Sequence, residues 1–236
     1  MNRLALITGT GQGLGFALAE KHLSLGDEVY ALTRRSTDQL TGLAKRSGKL
    51  HVHCCDIAST QSVQAAMAAL LARGQRLDFL YNVAGLYGQQ DRVPLADTDL
   101  DEGLHMLDVN GVGLLRVTKA ALPLIGKGSL VVNITSEAGI ITNCYRSYEY
   151  MYCVSKAAAN MASKLRSNEL HPLGARVICI HPGWLRTQIG GERAKGSPYA
   201  IEAAKSAEDI VGIATRIEEI PPSWLFMQHD GALLPW

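Results

Sequence analysis

The sequence predicts an α/β domain in which one doubly wound parallel sheet of seven strands carries helices on both faces. Three observations predict it. Short apolar runs alternate with longer amphipathic stretches from one end of the chain to the other. A glycine-rich turn joins the first apolar run to the first helical stretch, and the two longest connections both leave the C-terminal ends of strands, where open sheets of this class bind ligands. The 236 residues, 47% hydrophobic and 19% charged, are enough for one sizeable core in a single domain, 1–236.

The apolar runs are RLALITG (3–9), DEVYALT (27–33), KLHVHCCD (49–56), LDFLYNVAG (77–85), GSLVVNITS (128–136), ARVICIHPG (175–183) and SWLFMQHDG (223–231). Helical stretches lie between them at about 13–25, 36–47, 59–73, 98–125, 150–170 and 206–219. The third starts behind Ser59 with Gln61 in its first turn, and the sixth behind Ser206 with Glu208, both capping patterns. The fifth contains SKAAANMASKLRSNEL, dense in good helix formers. Two segments stand outside the alternation, EAGIITNCYRSYE (137–149) and PGWLRTQIGGERAKGSPYAIEAAKS (182–206). The second is too long for an idle connection, and both are expected to shape a substrate pocket.

Net charge is +1 with no basic run, which excludes the electrostatic footprint of a nucleic-acid or anionic-membrane binder. No window of about eighteen apolar residues occurs, and three residues precede the first apolar run, so a protein of the cytoplasm is expected. Five cysteines, with Cys54 and Cys55 adjacent and none at metal-ligand spacing from a histidine, point the same way: reduced thiols that pack, and no metal. His51 and His53 alternate along a strand and need no metal either. The sequon Asn133-Ile134-Thr135 sits inside an apolar strand and says nothing about glycosylation.

TGTGQGLG (8–15) opens the first helix. Its glycines, Gly9, Gly13 and Gly15, are spaced G-x-x-x-G-x-G, with Gly11, Gln12 and Leu14 between them. Such a turn brings backbone close to a pyrophosphate at a helix N-terminus, whose free N–H groups and dipole favour an anion. At the end of the second strand, ALTRR places Thr33 where an acid would bind the ribose hydroxyls of NAD, followed by Arg34 and Arg35. Arginine suits a 2′-phosphate, so NADP(H) is the preferred cofactor and NAD(H) the alternative.

YEYMYCVSK (148–156) holds three tyrosines and one lysine. Helical residues three or four apart share a face, so Lys156 reaches Tyr152 and not Tyr148 or Tyr150 in the same way.

TGTGQGLG, Asp56, NVAG (82–85), Asn110, Ser136, Tyr152-x-x-x-Lys156 and Pro182-Gly183 together resemble, in that order and over essentially the whole chain, the single-domain short-chain dehydrogenases/reductases. PGWLRTQIGG and the ending DGALLPW look like the C-factor-type carbonyl reductases within that family. The resemblance implies a Rossmann-like domain and a catalytic set of Asn110, Ser136, Tyr152 and Lys156. Ser136 would orient the substrate oxygen, Asn110 would hold a water in a proton relay to Lys156, and Lys156 would also hold the nicotinamide ribose. For the cofactor it implies Asp56 and Ile57 at the adenine, Asn82, Ala84 and Gly85 along its border, Pro182 and Gly183 beneath it and Thr187 at the carboxamide. Val83 departs from the family's N-N-A-G, which leaves that side chain without an assigned role.

Reducing a carbonyl requires a hydride and a proton donor that works near neutral pH. Free tyrosine titrates near 10, and a lysine one turn away is expected to lower that by about 1–3 units. The expected partner is a small carbonyl or alcohol, with homodimers or homotetramers formed through the long helices at about 109–125 and 150–170, as the family implies. Trp184, Tyr145 and Tyr148 either line the substrate pocket or pack. A second reading is a cofactor-sensing or signalling protein that keeps the fold without turnover.

Overall fold

A computed structural model describes residues 3–88 and 91–236; the first two residues of the chain lie outside it. Strands Leu4–Thr8 (β1), Glu28–Thr33 (β2), Leu50–Cys54 (β3), Phe79–Asn82 (β4), Leu130–Ile134 (β5), Arg176–His181 (β6) and Phe226–Gln228 (β7) form one sheet in the order β3-β2-β1-β4-β5-β6-β7. Every neighbouring pair is parallel, with Ile7 opposite Ala31 on one side of β1 and Tyr81 on the other. The chain builds outward from β1 to β3, then returns to β4 and builds the other way. The order therefore reverses between β1 and β4, where such sheets open a crevice.

The helices are Gly13–Ser24 (α1), Asp38–Ser47 (α2), Thr60–Arg73 (α3), Leu100–Leu107 (α4), Leu114–Ala121 (α5), Tyr150–Leu170 (α6), Gly191–Lys195 (α7) and Ala203–Thr215 (α8). Strand alternation divides the core in two. Ala5, Ile7, Val29 and Ala31 pack with Phe16 and Leu18 of α1, Leu40 of α2 and Ile210 of α8. Leu4, Leu6, Tyr30 and Leu32 face the other way, onto Met67 and Leu70 of α3, Val117 of α5 and Leu170 of α6. Each fully buried Leu or Ile on these faces contributes about 1.5–3 kcal/mol, so a one-residue slip of β1 would forfeit both cores at once.

Three elements differ from the sequence reading. The single helix expected at 98–125 begins at Leu100, where Asp99 accepts the Glu102 N–H at 2.9 Å, and is interrupted by a π-turn, Asp108–Gly113, between α4 and α5. That turn reads DVNGVG, whose glycines and β-branched valines are poor α-helix formers. Ser206 does not cap a helix, because α8 starts earlier, behind Glu202. The buried Ser206 hydroxyl instead donates to the Pro182 carbonyl at 2.8 Å and holds the exit of β6. The run 223–231 contributes only the three residues of β7. Segment 182–206 is no open loop: it contains α7, a bridge between Leu185 and Ile201, and the start of α8. Among the described residues no helix is long and apolar enough to cross a membrane, and no group of three or more His, Cys, Asp or Glu is placed to hold a metal.

Candidate active site

A cleft of about 1150 Å³ runs across the C-terminal ends of β1, β4, β5 and β6. At one end lies the glycine turn. Gly9 has φ +71, and a Cβ there would meet the Ala84 backbone at 2.8 Å, so only glycine lets the turn after β1 pass the one after β4. Thr8 fixes that approach, its hydroxyl accepting the N–H groups of Val83 at 2.8 Å and Ala84 at 3.0 Å. Helix α1 starts at Gly13 with no side-chain cap from Gln12 and no acid in its first turn. Its N–H groups and positive dipole end are thus left for an anion. Gly9, Gln12, Gly13, Leu14 and Gly15 line the cleft, whereas Gly11 packs behind the turn, its main-chain oxygen accepting from Thr37 at 2.9 Å. The Gln12 amide donates to Gln188 at 2.7 Å, which ties this turn to the segment after β6.

Thr33 is buried at the end of β2, its hydroxyl on the Arg35 carbonyl at 2.8 Å. The exposed Arg34 and Arg35 follow; Arg34 lines the cleft and Arg35 is not among its lining residues. Asp56 and Ile57 line it beyond β3, with Asp56 accepting the Ala58 N–H at 3.0 Å. Ala84 and Gly85 border it. Asn82 turns inward instead, donating to Asn133 at 2.8 Å and Thr118 at 3.1 Å, so its part is to join β4, β5 and α5. Pro182, Gly183 and Thr187 line the far wall; a Cβ on Gly13 would lie 3.3 Å from Thr187.

The candidate catalytic residues Ser136, Tyr152 and Lys156 line the same cleft. Ser136 follows β5 and caps a 3-10 turn, Glu137–Gly139, accepting the Ala138 N–H at 3.1 Å. That turn lies against α6 so closely that a Cβ on Gly139 would meet the Lys156 main chain at 2.6 Å. Tyr152, in the first turn of α6, lines the cleft beside Ser136, and its ring meets the edge of Tyr87 at 5.0 Å. The Lys156 Nζ donates to the Ile134 carbonyl at 3.3 Å and lies 5.7 Å from the centre of the Tyr152 ring. Asn110, in the π-turn, is 3% exposed and engaged on every side: it accepts from Leu86 N–H at 2.7 Å and donates to Leu86 O at 2.9 Å and Ser155 at 3.0 Å.

Electrostatics here correct the sequence reading. The Tyr152 phenol is pushed up to about 12, not lowered. Burial is the main cause, the Ser136 hydrogen bond opposes it, Glu137 and Glu149 add to it, and Arg146 opposes it. Burial also brings Lys156 down to about 8. His181, beside Lys156 and His229, is held down to about 4, chiefly by burial.

Five residues that sequence reasoning missed surround this pair: Asp91, Glu149, Tyr87, Arg92 and Arg146. Asp91, buried, accepts the Tyr152 N–H at 2.9 Å and the Met151 N–H at 3.3 Å, and so caps α6 from a distant segment. Glu149 precedes the helix at φ +65, accepts from Tyr87 at 2.5 Å and from Arg146, and forms an ion pair with Arg92 at 3.2 Å. Only Glu149 carried any signal, as the lone acid in YEYMYCVSK. Of the aromatic candidates, Tyr145 and Trp184 line the cleft, while Tyr148 packs under Arg92 with 5.1 Å from guanidinium to ring.

The family model described as short chain dehydrogenase matches residues 3–197. A 1-hydroxy-2-glutathionyl-2-methyl-3-butene dehydrogenase from Rhodococcus sp. (strain AD45) is 28% identical over 235 residues, 98% of each chain. The NADPH-bound carbonyl reductase from chicken fatty liver shares the fold with a TM-score of 0.89 at 23% identity, over 100% of this chain and 99% of that one. A carbonyl reductase from Pseudomonas aeruginosa PAO1 in complex with NADP gives a TM-score of 0.82 at 25% identity over 100% of both. A match over residues 3–197, together with this strand order and this cleft, makes the chain a member of the short-chain dehydrogenase family.

Proposed function

We propose that the protein is an NADP(H)-dependent carbonyl reductase or alcohol dehydrogenase with Tyr152 as general acid in the reductive direction. One observation carries this reading: Ser136, Tyr152 and Lys156 line the same cleft as an uncapped helix N-terminus. The cleft fits a dinucleotide. Its glycine turn admits a pyrophosphate against the free N–H groups of α1, and Arg34 and Arg35 are exposed beyond Thr33 for a 2′-phosphate. The NADP and NADPH named with the structural relatives support the same preference over NAD(H). Asp56 and Ile57 border the adenine end, Ala84 and Gly85 the middle, and Pro182, Gly183 and Thr187 the nicotinamide end.

When bound, the reduced nicotinamide supplies the hydride. Ser136 donates to the carbonyl oxygen and orients it. The Tyr152 hydroxyl, in the same cleft as Ser136, is placed to give its proton to the same oxygen as charge develops there. A phenol raised to about 12 is still protonated at neutral pH, as a donor must be. Lys156, about 8, keeps most of its charge there and is the nearest α6 cation to the ring. The water-holding role that the resemblance implies for Asn110 falls to its main chain, because the carboxamide is taken by Leu86 and Ser155.

Tyr145 and Trp184 at the mouth suit a small-molecule carbonyl. Exposed Leu100, Leu104 and Val112 on one side and Val154, Met161 and Leu165 on α6 support a homodimer or homotetramer. Five free cysteines support a reducing compartment, the cytoplasm. A sensor without turnover is disfavoured because all four catalytic positions are filled and three of them, Ser136, Tyr152 and Lys156, line one cleft. The test is loss of reduced-nicotinamide absorbance with NADPH and a panel of ketones, aldehydes, quinones and diketones. Turnover is expected, with Tyr152→Phe slower by about 10²–10⁴-fold and still binding NADPH; NADPH binding without turnover, and a Tyr152→Phe variant like wild type, would favour the sensor.

A further inference from the structure

Arg146 lies in the segment between β5 and α6 and reaches both ends of the hydroxyl pair. One guanidinium nitrogen donates to Glu137 and the other to Glu149. Glu137 directly follows Ser136, and Glu149 stands three residues before Tyr152 at the start of α6. Glu149 is 3% exposed and takes a left-handed backbone, the only non-glycine to do so among the described residues. Such a conformation is strained for a non-glycine residue and persists only where its surroundings hold it. Here they are Arg146, Arg92 at 3.2 Å and the Tyr87 hydroxyl at 2.5 Å.

We propose that Arg146 is a positioning residue for the reaction: by bridging Glu137 and Glu149 it fixes the separation of the Ser136 and Tyr152 hydroxyls. The inference rests on the function proposed above. Two of its nitrogens are already committed to carboxylates and its Nε is buried, so little of the group is left for substrate. Charged and titratable groups surround Tyr152 from each neighbouring element: Glu137 after β5, Arg146 and Glu149 before α6, Lys156 on α6, Tyr87 and Asp91 after β4, with Arg92 and His181 in the same cleft. Arg146 is the cation among them that opposes the two acids at the phenol.

Arg146→Gln and, should that variant fail to fold, Glu137→Gln test the idea by steady-state kinetics, NADPH binding and a crystal structure. Expected are a roughly 10- to 100-fold fall in kcat with KM for NADPH and for the carbonyl nearly unchanged. Arg146→Lys should recover part of the loss, and free guanidinium ion should restore activity to Arg146→Ala. In the crystal the two hydroxyls should stand farther apart than in the wild type. An unchanged kcat, a loss confined to the carbonyl KM, or the wild-type separation in the variant overturns the proposal. Wild-type protein that turns over no carbonyl fails the proposed function, and the measured separation then still decides the role of Arg146.

Discussion

Lys156 is a cation held where burial opposes its charge. Its value of about 8 in the folded protein lies below the ordinary 10.5, so between those limits the unfolded chain binds more protons. Stability from this group therefore rises with pH across that window, and below about 8 the whole cost of burying the ammonium is present. Lys156→Met should accordingly gain on the order of 3 kcal/mol at neutral pH while losing turnover; urea unfolding without cofactor checks it, and a less stable variant refutes it. Arg34 and Arg35 meet solvent instead. Replacing both with Ala should raise the KM for NADPH by roughly tenfold or more and leave that for NADH nearly unchanged, read from parallel titrations of the two nucleotides. The Tyr152–Lys156 pair was legible because its spacing is local. The sign of the Tyr152 shift was not, since it is set chiefly by burial, with Glu137 approaching from a segment that no local spacing reveals and the neighbouring Glu149 only adding to it.

At the scale of elements, α6 matched its expected bounds, 150–170, because its helix formers and its flanking loop are local signals. What caps it was hidden, because Asp91 lies about sixty positions away and nothing in an aspartate marks it as a cap for a remote helix. The π-turn was hidden for a related reason: DVNGVG weakens an α-helix without saying how the ladder will adjust. The contact between the 3-10 turn and α6 predicts a sharp outcome. Gly139→Ala should cost about 1–3 kcal/mol and lower kcat, since its methyl would collide with backbone that cannot rotate away. Urea midpoints and initial rates measure both, and a variant that keeps wild-type stability and rate contradicts the packing described here.

For the whole molecule, the alternation of apolar runs and helices made seven strands and their parallel pairing readable, and the switch point came with that class of sheet. The apolar stripes on α4, the π-turn and α6 were less so, because an outward Leu104 or Leu165 looks like a core position until its face is seen. If these stripes join subunits, Leu165→Glu should release monomers, which analytical ultracentrifugation at matched concentration would register; an unaltered mass would place the interface elsewhere.

The sheet also runs the chain along the cleft in one direction. Everything expected to touch the nucleotide's adenosine lies ahead of β4, and everything expected to touch the reacting carbon lies after it. A chimera spliced within β4 would thus inherit its coenzyme choice from one parent and its carbonyl selectivity from the other. Evolution has the same freedom, and can retune what is reduced without renegotiating what does the reducing.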